Sequence, residues 1–205
     1  MSIRRETELR KKEQTIASIM EATELLVIDS PGSLPTVREV AKRSGYSIGS
    51  VYRNFTSVRD IVAQIVVRGQ ISTAKKIEAM VAQHSPDDGV DVFCSNLTGK
   101  FFSLIEKVNP RLVRFVFNVA LDNARRADIL YVASDRMVNP MLAVIAHDRS
   151  GTFQQLSEKQ VRLLARATVF IVRSPLLEGN AFFGTPEHRA MVYNHMLNSL
   201  KAEIS

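Results

Sequence analysis

One cysteine in 205 residues, Cys94, leaves no partner for an intramolecular disulfide and no thiolate set for a cysteine zinc site. The four histidines, His84, His147, His188 and His195, are scattered and show no metal-ligand spacing. There is no glycine-rich phosphate loop, no nucleophile elbow and no His-Glu-x-x-His. Pairs such as Asp122-Asn123 and His147-Asp148 are what any helical protein carries. The expectation is therefore a protein with no catalytic residue, no metal and no cofactor. No run approaches the roughly 18 uncharged apolar residues that span a membrane. The opening MSIRRETELRKKEQ has no apolar leader, so a soluble, cytoplasmic protein is expected. Strand-like alternation is missing as well.

What is present is an ordinary globular composition, 45% hydrophobic and 23% charged, on a chain long enough for one medium domain or two small ones. The net charge of +6 suits a polyanionic partner only loosely. Residues 1–60 hold ten Lys/Arg against eight Asp/Glu, so most of the excess lies elsewhere. Arg4, Arg5, Arg10, Lys11 and Lys12 cluster at the start of the first helix, as a solvated terminus or as phosphate contacts.

The stretch from Thr36 to Ile61, TVREVAKRSGYSIGSVYRNFTSVRDI, reads as two short helices joined by a tight turn, with another helix following. Thr36 and Glu39 form a capping box, Thr-x-x-Glu, that starts the first of them. Ala41 lets the two helices approach closely, Gly45 takes the positive φ of the turn, and Val40 and Val51 seal the wedge. That spacing is a helix-turn-helix, and it leaves the outer face of Ser47 to Asn54 free for a DNA major groove.

Helical periodicity runs through the remainder, and about nine helices are expected. The first covers about Thr7 to Ile28, with Ile16, Ile19, Met20, Thr23, Leu26 and Val27 on one stripe, and ends at Pro31-Gly32. Ser47 and Ser57 cap the third and fourth, the fourth running to about Ala82. Ser85-Pro86 opens a fifth that Asn109-Pro110 closes, and Arg111 to Leu121 is apolar nearly all round. A helix from about Asp128 to His147 is expected to kink at Pro140. Ser157-x-x-Gln160 caps another that ends near Arg173, with Pro175 just beyond, and Thr185-Pro186 opens the last, to about Ala202.

Over about Ile16 to Val66 the chain resembles the tetracycline-repressor (TetR) family of bacterial transcriptional regulators. The resemblance rests on IMEATELL in the first helix, Thr36-Val37 through Val40-Ala41, the run Gly45 to Phe55, and Ser57-Val58-Arg59-Asp60-Ile61. It implies an all-α fold: a three-helix helix-turn-helix DNA-binding domain over 1–60, and a helical bundle over 61–205 for ligand binding and dimerisation. One position departs from the pattern. The family usually has a phosphate-binding lysine where this chain has Val58, so that contact is expected to be absent or re-aimed, with Arg59 turned by about 100° from it.

For DNA the candidate residues are Thr36, Arg38, Ser47, Ile48, Gly49, Ser50, Tyr52, Arg53, Asn54 and Arg59. The Thr36 hydroxyl, or the helix N-terminus it caps, is placed to meet a phosphate. Gly49 lets the helix approach base edges, Ile48 can pack on a thymine methyl, and the serines can bond to phosphates or bases. Tyr52 is expected to reach the backbone with its phenol. Arg38 and Arg53 can read a guanine or clamp a phosphate, and Asn54 matches a position that often touches phosphate. Phe55 is expected to plug the core.

In the bundle, Phe93, Phe101, Phe102, Phe115, Phe117, Met137, Met141 and Phe170 are candidates for an apolar effector pocket. Packing in a core is the simpler account of each, and the resemblance implies that some face a cavity. Cys94 is expected to be buried packing. The resemblance further implies a homodimer, joined through about Ser157–Arg173 and Pro186–Ala202, on a palindromic operator of double-stranded DNA. It would act as a repressor released by a small apolar or amphipathic effector. An activator of the same fold, or a regulator governed by a protein partner or by no ligand, remains the alternative.

Overall fold

The computed structural model describes residues 3–30, 32–121 and 131–202. Ten helices lie among them: α1 (Ile3–Asp29), α2 (Val37–Ser44), α3 (Ile48–Asn54), α4 (Val58–Val81), α5 (Val90–Ile105), α6 (Pro110–Leu121), α7 (Val132–Arg136), α8 (Val138–His147), α9 (Glu158–Glu178) and α10 (Pro186–Leu200). Among the described residues there is no strand, only an isolated antiparallel bridge between Phe153 and Lys201. Pro31, the Asp122-Asn123 pair and the expected helix start at Asp128 lie outside the described residues, as does the side chain of Arg4.

The chain forms two compact units, Met1–Arg68 with Arg111–Arg126, and Gly69–Pro110 with Ala127–Ser205. In the first, Ile19, Met20 and Val27 of α1 are buried, as are Val40 and Ala41 of α2, Val51 of α3, and Ile61, Val62 and Val66 of α4. Phe55 closes α3 and is likewise buried, the core plug its sequence position suggests. Thr23 is fully enclosed, and its hydroxyl donates to the Ile19 carbonyl one turn back, which satisfies the buried oxygen.

The second unit packs α5, α8, α9 and α10, with the end of α4, around Val90, Phe93, Leu97, Phe102, Val161 and Met196. Helix α5 begins at Val90, later than Ser85-Pro86 suggests, and its N-cap is Gly89, which has no side chain to offer. Thr152 supplies the missing cap from 62 residues away, its hydroxyl oxygen accepting from the Val90 amide at 2.8 Å.

Two prolines act differently from their sequence reading. The expected single helix ending at His147 is two, α7 and α8, broken at Met137. Pro140 stands in the first turn of α8, where its missing N–H and its ring exclude a continuous helix through Arg136 and Met137. Pro175, expected beyond the end of α9, lies inside it, and α9 continues to Glu178 before Gly179 closes it at φ 71°. The Ile171 carbonyl, which a residue other than proline at 175 would bond, accepts instead from Nε2 of the fully buried His188 at 3.0 Å.

Candidate nucleic-acid interface

The first unit builds one outward-facing surface around α3. Thr36 and Glu39 form the capping box reciprocally: the Glu39 amide donates to the Thr36 hydroxyl oxygen at 3.2 Å, and the Thr36 amide donates to the Glu39 carboxylate at 2.7 Å. Gly45 ends α2 at φ 76°, a left-handed turn that aims α3 across α2. Ser47 then caps α3 by accepting from the Ser50 amide at 3.1 Å. With Val51 and Phe55 held in the core, the opposite face of α3 has to look outward.

On that face Tyr52 is 58% exposed and Ile48 is 42% exposed, large apolar surfaces for a seven-residue helix. Ser47, Gly49 and Arg53 are exposed beside them, and Ser50 and Asn54 are half-buried. Thr36, Arg38 and Arg59 are exposed on the neighbouring elements. Lys42, in the last turn of α2, is an exposed cation that the motif alone does not single out. A Cβ added to Gly49 would come no nearer than 3.9 Å to the Ser47 hydroxyl oxygen. The fold therefore has room for a side chain at Gly49.

Hydrogen bonding refines three of these residues. The Thr36 hydroxyl donates to the Glu39 carboxylate at 2.8 Å, so an anion reaching that hydroxyl would have to displace Glu39. The same contacts, first the Thr36 amide and then its hydroxyl, hold the Glu39 carboxyl below its usual range. Asn54 turns its amide back on α3, donating to the Ser50 carbonyl at 2.8 Å, and the Arg53 Nε–H reaches the Gly49 carbonyl at 3.4 Å. Val58 is only 8% exposed, one of the apolar residues of the first unit's core. An apolar side chain in this place is explained by packing.

The second unit holds a small cavity of about 10 Å³, roughly one water-sized sphere, lined by Leu97, Phe101, Met137, Met141, Ala165, Thr168, Val169 and Met196. Phe101, Met137 and Met141 are among the sequence candidates for a pocket; the remaining lining residues carry no signal that separates cavity wall from core. The Thr168 hydroxyl donates to the Leu164 carbonyl, which leaves the wall with little polar character. Phe93 packs edge-on against His84 and Phe153, and Phe102 lies beneath the Arg189 guanidinium, and neither lines this cavity. Phe115 and Phe117 belong to the first unit. Phe170 is a correction: it is 64% exposed on α9, because its helical position falls beside Leu163 and opposite the buried Val161, Ala165 and Val172.

Cys94 is fully buried, and burial, with Asp91 nearby, pushes its thiol up to about 12. No group of three or more metal-ligating side chains occurs among the described residues. Nor, among them, is any helix long and apolar enough to cross a membrane.

No family model and no curated protein matches the sequence. Solved structures do match the fold. A TetR-family transcription regulator from Marinobacter aquaeolei is 17% identical, over 95% of this chain and 99% of its own, with a TM-score of 0.60. The multidrug-binding protein EbrR, complexed with imidazole, is 16% identical over 93% of this chain and 97% of its own, with a TM-score of 0.63. The transcriptional regulator FadR from Bacillus subtilis, in complex with stearoyl-CoA, is 14% identical over 90% and 97%, with a TM-score of 0.61. The chain has the all-α fold of the TetR-family transcriptional regulators.

Proposed function

We propose that this protein is a sequence-specific, DNA-binding transcriptional regulator of double-stranded DNA, with the helix-turn-helix of residues 1–60 as its reading head. The observation that carries this is the outer face of α3, where Ile48, Gly49, Tyr52 and Arg53 are exposed and Val51 and Phe55 fix the helix from behind. Ile48 and Gly49 meet base edges, and Tyr52, Arg38, Arg53 and Arg59 serve the phosphates and flanking bases. Binding of this kind weakens steeply as salt rises. On this reading the protein carries no catalytic activity of its own and works in the cytoplasm.

Residues 61–205 supply assembly and control. Leu163 and Phe170 stand 70% and 64% exposed on α9, and Met191 is exposed on α10. Such a stripe, on the last two long helices, supports a homodimer whose symmetry matches a palindromic operator. The protein acts as a repressor, released when an apolar effector enters the methionine-lined cavity. The effector's contribution is the usual allosteric coupling, about 1–3 kcal/mol. The small volume of the cavity favours a second reading, a regulator governed by a protein partner or by no ligand.

Selection of bound duplexes from a random pool, at near-physiological salt, tests the proposal. A motif with two-fold symmetry is the expected product. Recovery of unrelated sequences, with binding lost as salt rises, would contradict it.

A further inference from the structure

Helix α7 has five residues and only a thin apolar face: Val132 and Ala133 are half-buried, and the buried Ser134 satisfies its hydroxyl on the Tyr131 carbonyl at 3.0 Å. Polar ties hold it, and they lead to two different helices. Toward α4, the Arg136 guanidinium forks onto the Glu78 carboxylate at 2.9 and 3.1 Å, and the Ala133 amide donates to the Gln70 side chain at 3.4 Å. Toward α9, Asp135 accepts a matching fork from Arg166 at 2.8 Å on each oxygen, with Arg162 at 3.6 Å. The Arg166 guanidinium also lies over the Tyr131 ring, 4.3 Å from its centre.

We propose that α7 is a polar clamp that makes α4 and α9 report on each other. Neighbouring residues, Asp135 and Arg136, point about 100° apart around α7 and reach different helices, and each holds a planar, two-point pair, the geometry that transmits orientation as well as distance. A single apolar contact would let the helices slide. Two forks on adjacent residues of one helical turn oppose such sliding. On α9 the gripping arginines alternate with the exposed stripe, Arg162 beside Leu163 and Arg166 one turn before Phe170. Helix α4 runs without a break from Val58 to Val81, so its gripped residues share one helix with its first turn. An effect of the clamp on DNA binding would rest on the regulator reading above; the clamp itself does not.

Hydrogen exchange of the full chain, resolved by peptide, tests the clamp without any DNA. Asp135→Asn removes the α9 tie and touches nothing on α4, yet amides of residues 70–81 in α4 should exchange roughly threefold faster or more. Glu78→Gln, made from the other side, should speed residues 158–170 of α9 in the same way. Glu158→Gln removes only the neighbouring pair with Arg162, at 2.6 Å, and should leave α4 unchanged. Faster exchange confined to α7 and α9 in Asp135→Asn, or to α4 and α7 in Glu78→Gln, would overturn the proposal. So would an equal loosening of α4 by Glu158→Gln, since general loss of charge would then explain it. Should Asp135→Asn fail to fold, the response of α9 to Glu78→Gln decides the matter.

Discussion

His188 stands in for the amide that Pro175 lacks. The Gly184 amide donates to Nδ1 of His188 at 3.1 Å, so that nitrogen is the acceptor and Nε2 carries the hydrogen. That hydrogen goes to the Ile171 carbonyl at 3.0 Å, the group left open one turn before the proline. A neutral imidazole in one tautomer thereby repairs the α9 ladder and anchors the loop before α10. His188→Ala should cost about 2–4 kcal/mol, from the lost contacts and the orphaned carbonyl together. In a Pro175→Ala background the cost should shrink by about 1 kcal/mol, because the alanine amide takes the carbonyl back. Urea unfolding of the four proteins gives the cycle, and equal costs in the two backgrounds would refute the pairing.

Thr152 caps a helix to which it does not belong. Thr152→Val keeps the shape and removes the acceptor for the Val90 amide, so stability should fall by about 1 kcal/mol. Thr152→Ser should lose much less. A Cβ at Gly89 would stand 3.4 Å from the Thr152 hydroxyl oxygen, an ordinary contact, so the cap does not depend on glycine there. Chemical denaturation of both variants checks it.

Cys94 should behave as an inert hydrophobe. Its thiol is buried on α5, with its ionisation pushed to about 12, so a maleimide should label it at the rate of global opening. Labelling should track denaturant and remain slow from neutral pH up to about 10, where a free thiol would long have ionised. Rapid labelling of the folded protein would show the burial to be wrong.

Leu163 and Phe170 present the largest exposed apolar surfaces of α9. If a second copy covers them, Phe170→Glu should convert a dimer into a monomer at micromolar concentration, with little change in the melting of the isolated chain. Sedimentation equilibrium reads the mass. A parent protein that is already monomeric would remove the α9 assembly from the account.

The parts legible in the sequence are those set by neighbours in the chain. Thr36 with Glu39, and Ser157 with Gln160, announce their helix starts because each partner lies one turn away, and both boxes form. Gly45 announces the turn for the same reason. Pro175 misleads because the donor that rescues it, His188, comes from another helix. Phe170 misleads because an apolar residue at helical spacing reads alike whether it is buried in a core or stands exposed on the surface. Asp135, Arg136 and Arg166 look like surface charges until the fold brings α4, α7 and α9 together. At the candidate interface, the sequence marks which α3 residues look outward, but that Glu39 engages the Thr36 hydroxyl appears only in three dimensions.

Gly49 separates recognition from folding. The free protein has room for a methyl group there, and replacing glycine within a helix by alanine favours folding by about 0.5–1 kcal/mol. On the proposed reading, a major groove pressed against α3 would leave no such room. The decisive measurement is the affinity of Gly49→Ala for the duplex selected by the parent protein, taken alongside its unfolding free energy. The account predicts unchanged or higher stability together with at least about a tenfold loss of affinity, or about 1.4 kcal/mol. Full affinity in a stable Gly49→Ala protein would mean that the outer face of α3 does not enter the groove.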